Sequence, residues 1–434
     1  MKFYDREAEM EVLRNNRIRS AKNSTFTVIT GRRRIGKTSI VHESEKGNRF
    51  LYLFVPRKSE TILCEQFAEA ALKDLDLTLI NTGRFKDLFV QIMQYAEHNN
   101  LTFVIDEFQE LENINGSIMS SLQNLWDTHK GRSKINLIVC GSVYSMMVKI
   151  FQDAKEPLFG RATSTMKIEP FEPSVIREIL KDHNPNYAPD DLLFLYMVTG
   201  GVPKYIELFM DAGATTKDEM LNVICTEGSQ FLVDGEHLLI TEFGKDYGTY
   251  FSILELIANG KTTMNEISTS IGKNIGSYLV NLEKRYGLIK KNRPMFSESG
   301  SRDIRWTISD NYLRFYFRFI DGNRSYMETK RFDILRMKIL EEYEEYSGTV
   351  LEDYFKKKMT EEEMITDIGS YWDKKGHNEI DIIALNSFDK TAKVMEVKRN
   401  PKKADLQLLT EKADRVSELK KFSVKYGKLS LKDM

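Results

Sequence analysis

Between Phe26 and Glu169, short runs rich in β-branched and aromatic residues (TFTVIT, FLYLFV, LTFVID, INLIVC and STMKIE) alternate with helical stretches such as Ser59 to Leu75 and Ser117 to His129. Apolar strands separated by helix-length segments predict βαβ units around a parallel sheet. After FEPS at Phe171 to Ser174 the periodicity turns helical through Met210, which predicts a small helical lid. From Tyr250 to about Phe319 the order is helix, turn, helix, turn, helix and hairpin. Its pieces are FSILELIANG, TTMNEISTSIG, NIGSYLVNLEKRYG, and two strands, LIKKN and IRWTIS, around the polar loop SESGSRD. That order predicts a winged helix. From roughly Ser347 the pattern gives a helix at Val350 to Lys357, strands EIDIIAL and KVMEVKR, and a helix from Lys403 to Lys421.

A chain of 434 residues exceeds the size at which one core keeps growing, so two to four domains are expected. With 41% hydrophobic and 29% charged residues and only 9 prolines, it reads as ordered throughout. The start carries Asp5, Arg6, Glu7 and Glu9 in place of a basic patch and an apolar core, and no apolar run approaches spanning length. A cytoplasmic protein without a membrane partner is expected. Cys64, Cys140 and Cys225 are isolated and the six histidines scattered, which excludes a CxxC metal site and a disulfide framework. Net charge is -1, but from Lys393 onward 12 Lys/Arg face 6 Asp/Glu. Such a basic tail is either a solvated face or a surface for nucleic acid.

The segment GRRRIGKT, Gly31 to Thr38, lies between a strand ending at Thr30 and a helix. This context makes a glycine-rich loop a phosphate cradle. Gly31 and Gly36 let the backbone wrap, so the amides of Arg32, Arg33, Arg34, Ile35, Lys37, Thr38 and Ser39 face the phosphates at a helix N-terminus. Lys37 is placed to neutralise the β and γ phosphates of ATP, and the Thr38 hydroxyl to ligate Mg2+. Downstream, FVIDE at Phe103 to Glu107 ends a buried strand in two acids. Asp106 is expected to hold the Mg2+ shell and Glu107 to polarise the attacking water, since phosphoryl transfer needs positioning and charge neutralisation. Ser142, after INLIVCGS, is a candidate γ-phosphate sensor. Arg161 in LFGRAT is either an arginine finger, acting in cis or across a homo-oligomer, or a surface salt-bridge residue.

Taken together, FYDREAEM (Phe3 to Met10), GRRRIGKT, VIDEFQEL (Val104 to Leu111), CGS (Cys140 to Ser142), LFGR (Leu158 to Arg161) and TGGVPKYI (Thr199 to Ile206) occur in order. This series resembles the prokaryotic ATPase family common in archaea, which belongs with the STAND and AAA-like P-loop ATPases. The resemblance implies that Gly201, Pro203 and Tyr205 approach the nucleotide or couple the lid to it. Read from the residues, they form a helix-capping turn with an apolar anchor. The resemblance also implies an adenine-side contact from Phe3 to Arg6.

In the expected winged helix, Asn274 to Arg285 is the helix able to enter a major groove. Lys273, Lys284, Arg285, Lys290, Lys291, Arg293, Arg302 and Arg305 supply charge for phosphates. DNA contact and protein packing both remain open for it. Farther on, EIDII (Glu379 to Ile383) and MEVKR (Met395 to Arg399) read as neighbouring strands. They bring Asp381 beside Glu396, with Lys398 on the same face. Two carboxylates and a lysine suit a hard cation and a base or charge stabiliser; a solvated charged face is the other reading. The pattern resembles the PD-(D/E)xK nuclease fold, and the implied third metal ligand is Glu352 in VLEDYF, with Gln407 a further candidate. The family's C-terminal domain, of the DUF234 type, carries that likeness.

The expected fold class is therefore α/β. A P-loop NTPase parallel-sheet core (1–170) is followed by a helical lid (171–245), a winged helix (246–325) and an α/β restriction-endonuclease-like domain (326–434). The expected activity is Mg2+-dependent ATP hydrolysis that switches the winged helix and a nuclease-like module acting on nucleic acid, with DNA as the candidate partner. The alternative is a STAND-type signalling or stress switch that binds a protein partner and carries an inactive C-terminal module.

Overall fold

The computed structural model describes residues 1–243, 247–298, 300–301, 303–374 and 376–434. The expected lid boundary at Lys245 and Asp246, and the wing residue Arg302, lie outside the described residues. The chain divides into two compact units, Asp5–Glu169 and a second formed by Met1–Tyr4 with Pro170–Met434. Among the described residues no helix is long and apolar enough to cross a membrane.

The first unit is built on strands β1 (Thr25–Thr30), β2 (Phe50–Phe54), β3 (Leu101–Asp106), β4 (Ile135–Gly141) and β5 (Ser164–Lys167). They form one sheet in the order β2-β3-β4-β1-β5, and every pairing is parallel. β3 and β4 are buried at every position, which is why they read as continuous apolar runs. Helices Glu60–Leu75, Phe85–His98 and Ser117–His129 bury their apolar stripes with one face of the sheet. There Phe67 stacks on Phe103 with ring centroids 5.2 Å apart, and Trp126 meets Phe26 edge-on at 5.1 Å. Burying each such ring stabilises the unit by roughly 2–3 kcal/mol.

The second unit opens with helices Pro173–His183, Pro189–Thr199 and Pro203–Asp211. Each carries proline at its first turn, where the missing N–H would be unsatisfied anyway. Helices Tyr247–Ala258, Met264–Ile271 and Gly276–Val280 follow, the last continuing as a π-turn to Arg285. Strands β6 (Ile289–Asn292) and β7 (Arg305–Ile308) then pair antiparallel.

Beyond them the structure departs from the sequence reading. The helix expected at Val350 to Lys357 is part of the C-terminal half of a 31-residue helix, Phe332–Glu362. The helix expected from Lys403 to Lys421 is an α-helix only over Leu406–Asp414, and Ser417–Lys421 is 3-10. Asp405 sets the start by accepting the Gln407 and Leu408 N–H groups, as an N-cap does. Two strands were also not foreseen, β8 (Asp367–Trp372) and β11 (Ser423–Leu429). They flank β9 (Glu379–Asn386) and β10 (Thr391–Val397) in a four-stranded sheet of order β11-β10-β9-β8. β8 is interrupted by a bulge between Gly369 and Tyr371. β11 is a half-exposed edge strand carrying Lys425 and Lys428, so neither presents a clean two-residue alternation.

The TGGVP turn serves packing in the second unit. Gly200 (φ 56°) ends helix Pro189–Thr199 and Gly201 (φ 87°) follows in the same left-handed region. A Cβ on Gly201 would run into the Phe171 carbonyl oxygen, while the Gly201 carbonyl accepts the Phe171 N–H at 2.8 Å. Tyr205 is buried against Tyr312, centroids 4.1 Å apart. These contacts are those of the helix-capping turn with its apolar anchor. Gly201→Ala is expected to destabilise the second unit by ~2 kcal/mol or more, read as a lower denaturation midpoint; an unchanged midpoint would contradict this account of the turn.

Candidate functional site

Parallel register levels the C-terminal ends of the central strands. Thr30 stands opposite Gly141, and Ile105 opposite Val139, so Gly31, Asp106 and Ser142 emerge at one edge with β4 between β1 and β3. Open parallel sheets bind ligands at this edge. The loop after β1 bends through Gly31 (φ 152°), Arg34 (φ 73°) and Gly36 (φ 90°) before helix Lys37–Ser44. A Cβ on Gly31 would sit 2.9 Å from the Ile168 carbonyl oxygen, so only glycine fits without a shift. Ile35 is buried beneath the turn, whereas Arg33, Thr38 and Ser39 are exposed and Arg32 and Arg34 half-buried.

Lys37 is folded into its own loop, donating from Nζ to the carbonyls of Gly31 (2.7 Å) and Arg32 (3.0 Å). Burial pushes its ammonium below the ordinary lysine range, and the carboxylates of Glu107 and Asp106 partly oppose this. The Thr38 hydroxyl donates to Asp106 Oδ2 at 2.8 Å. Two oxygens of this kind, one hydroxyl and one carboxylate, are the donors Mg2+ takes from a protein when phosphates and water complete its shell. Glu107, in left-handed backbone at φ 54°, accepts the Ser142 hydroxyl on Oε2 at 2.8 Å.

Thr38, Asp106, Glu107 and Ser142 are thus one connected group with Lys37 beside them. Arg161 is not in it. It precedes β5, whose first residue pairs with Thr27 near the start of β1, at the opposite edge of the sheet from Gly31. There it binds Asp127 at 3.1 Å and the Phe159 carbonyl at 2.8 Å.

The sequence reading missed two members of the group. Tyr52, at the centre of β2, donates to Asp106 Oδ2 at 2.8 Å. Its only signal was a polar tip within the apolar run FLYLF. Gln109 donates from Nε2 to Glu107 Oε2 at 2.5 Å and is completely buried. It stood in view as the polar residue two positions beyond Glu107.

A second group of charges lies in the four-stranded sheet. β9 and β10 pair with Ile382 opposite Met395, which sets Asp381 beside Glu396. Asp381 Oδ2 accepts the Val397 N–H at 2.8 Å and the Lys398 ammonium at 3.1 Å, and that ammonium lies 3.6 Å from Glu396 Oε1. Lys398 therefore bridges the two acids. Although burial opposes it, Asp381 holds the Lys398 ammonium above its usual range. Glu352 reaches the group from helix Phe332–Glu362, where burial and then the Asp381 carboxylate push it up to about 7. Gln407 instead faces Glu411, at 3.5 Å. Among the described residues no three His, Cys, Asp or Glu side chains are grouped as a metal ion requires. The donors are hard oxygens, but Lys398 already neutralises two of them.

Four of the cations assigned to the winged-helix surface are engaged within the unit: Lys273 binds the Thr249 hydroxyl and lies over Tyr278, and Arg285 lies over Tyr286. Lys291 binds Glu283 at 2.7 Å and lies over Trp306. Arg305 binds Glu379 at 2.8 Å and lies over Trp372 of β8. Between these strands Met295 donates its N–H to the Ser370 carbonyl and joins the core of the four-stranded sheet with Ile380 and Ile383. The hairpin is therefore packed on that sheet. Lys284, Lys290 and Arg293 stay exposed.

A family model described as an ATPase domain predominantly from Archaea matches residues 3–209. A model of archaeal and bacterial proteins of unknown function matches residues 316–409. An uncharacterized protein of Methanocaldococcus jannaschii is 30% identical over 413 residues, covering 91% of this chain and 87% of the relative. Among solved structures, the Walker-type ATPase of Pyrococcus abyssi superposes with a TM-score of 0.54 at 17% identity, over 73% of this chain and 96% of that one. The Aeropyrum pernix ORC2 protein, in its ADPNP and ADP complexes, gives 0.50 at 13% identity, over 78% and 96%. At such identities the likeness is one of fold.

The Glu352 carboxyl carries a consequence for stability. Its value is raised on folding, so its contribution is fully present below the ordinary range near 4.5 and is lost as pH rises through about 7. Asp381, Asp353, Lys356 and Lys398 are the charges that face it. In chelator-containing buffer, the second unit is expected to lose about 2 kcal/mol between pH 5 and pH 8, and Glu352→Gln to remove that loss. Parallel pH profiles for the two proteins would refute the assignment.

Proposed function

The chain belongs to the ATPase family found predominantly in Archaea and is an ATP-hydrolysing enzyme; we propose that its nucleotide cycle switches a winged helix and a nuclease-like module acting on nucleic acid. The observation that carries the hydrolytic part is the single connected group of Thr38, Asp106, Glu107 and Ser142 beside Lys37. Lys37 leaves its two carbonyl partners for the β and γ phosphates. The amides from Arg32 to Ser39 cradle the phosphates at the helix N-terminus. Thr38 and Asp106 would hold Mg2+, which would neutralise charge on the phosphate oxygens. Glu107 takes the proton of the attacking water and Ser142 contacts the γ-phosphate. A homo-oligomer is the setting in which Arg161 would reach a neighbouring site, once released from Asp127.

The division of labour we propose is a nucleotide core over 1–170, a lid over 171–245, a winged helix over 246–325 and the nuclease-like module over 326–434. In the last, Lys398 would first turn from Asp381 to the phosphate, and only with that rearrangement would Asp381, Glu396 and Glu352 come together on a divalent ion, which would supply an activated water. The support for this is the proximity of the three side chains, with Lys398 within 3.6 Å of both Asp381 and Glu396. DNA is the partner that suits the exposed Lys284, Lys290 and Arg293 and the basic C-terminal segment. A second reading, a signalling switch that binds a protein partner, is favoured by the engagement of Lys291 and Arg305 within the unit.

Lys37→Ala is expected to abolish ATP binding, whereas Glu107→Gln binds ATP and loses at least ~100-fold in turnover; ATPase rates unchanged in both would sink the assignment. For the C-terminal module, Mg2+- or Mn2+-dependent DNA cleavage abolished by Asp381→Ala is the expected result. Absence of cleavage on single- and double-stranded substrates with either metal, together with an ATPase rate indifferent to DNA, would select the protein-partner reading.

A further inference from the structure

The Gln109 side chain is fully buried, and its Oε1 has no hydrogen-bond partner among the described residues. A buried carbonyl without a partner is a standing cost to the fold, and a leucine or methionine would fill the same space without it. The opposite end of the amide resolves the contradiction, because Nε2 donates to Glu107 Oε2 at 2.5 Å. The amide cannot turn over to relieve Oε1, since that would set a carbonyl oxygen against a carboxylate. Behind it the backbone is closely fitted, and a Cβ added to Gly141 would come within 2.5 Å of Oε1.

From this arrangement we infer that Gln109 is a positioning residue for ATP hydrolysis, one that fixes the Glu107 carboxylate in the orientation from which it takes the proton of the attacking water. The inference rests on the reading of Glu107 as the base. Gln109 and Ser142 both donate to Oε2. Two donors from different elements, the turn after β3 and the end of β4, hold Oε2, which leaves Oε1 as the oxygen assigned to the attacking water. Glu107 needs that restraint. Its left-handed backbone takes it off the line of β3, and a glutamate has three side-chain torsions to hold. A proton-transfer geometry loose by ~1 Å costs on the order of 100-fold in rate. Ser142 would release Oε2 when it contacts the γ-phosphate, whereas Gln109, enclosed by the fold, keeps its bond throughout.

Gln109→Leu separates this from a filling role. The expected variant unfolds at the wild-type temperature or above, since the stranded carbonyl is gone. It binds ATP with unchanged affinity and loses at least ~10-fold in kcat with KM little altered. Gln109→Met, unbranched and similar in length, serves if leucine lowers the melting temperature. Retention of kcat within twofold by a folded, ATP-binding variant overturns the inference. A second measurement places the effect on Glu107. The double variant Glu107→Gln/Gln109→Leu is expected to be no slower than Glu107→Gln alone, because the residue acts only through that carboxylate. A loss that multiplies with that of Glu107→Gln overturns the positioning role while leaving Glu107 as base. Full activity in Glu107→Gln overturns the assignment of the base itself, and this inference with it.

Discussion

The hydrogen bond from Thr38 to Asp106 joins residues 68 positions apart, and the first unit is organised so that it can form. It requires that β1 and β3 end at the same edge of the sheet although β4 separates them. Parallel register supplies this, because each strand returns to the same end after its crossover helix. The cost is that β3 and β4 are buried at every position and must be largely apolar, their buried Thr102 and Asn136 being bonded to each other, so the acids and the Thr38 and Ser142 hydroxyls stand where the strands stop and only the Tyr52 hydroxyl comes from within a strand.

The group around Asp106 and the group around Asp381 each use a lysine to offset acids partly removed from water, in different ways. Lys37 is held by carbonyl oxygens, close to carboxylates that moderate the effect of its burial. It is held by neutral groups and is available to a polyanion. Lys398 is bonded directly to Asp381 and lies close to Glu396. Its charge is already matched, so any anion must compete with two carboxylates. A lysine left without such partners in a buried place would lose its proton instead. The two arrangements are therefore opposite solutions to one electrostatic problem, the first open to a ligand and the second closed by its own side chains.

In the second unit, the β6–β7 hairpin and the four-stranded sheet share a core through Met295, and Gly369 leaves room for it, since a Cβ there would lie 2.8 Å from the Met295 sulfur. Arg305 and Trp372 lock the same contact with a cation over a ring and an ion pair to Glu379. The hairpin and the sheet bearing Asp381 are accordingly packed together on one core. Arg399 adds a tie at the far end of β10, binding Asp190 of helix Pro189–Thr199 and the Ser347 hydroxyl, each at 2.7 Å. The residue that follows Lys398 thus links the sheet to the helices that open the unit.

Sequence alone determined what is local. The alternation of apolar runs and helical stretches specified five parallel strands. GRRRIGKT between strand and helix specified a phosphate loop, and the register of EIDII on MEVKR placed Asp381 beside Glu396. Each follows from periodicity or from residues adjacent in the chain. Only the tertiary structure decided the rest. Tyr52 and Gln109 join the group around Asp106 and Glu107 because of where β2 and the turn after β3 are packed, and nothing in their neighbours announces it. β11 is a strand because β10 offers it a partner, despite its lysines, and β8 because it can pair around a bulge. Arg161, by sequence a candidate finger or a salt-bridge residue, has Asp127 as its partner because it precedes β5 at the far edge of the sheet. Long-range hydrogen bonds and ion pairs join groups that share no sequence window, so their pairing is fixed only when the chain is folded.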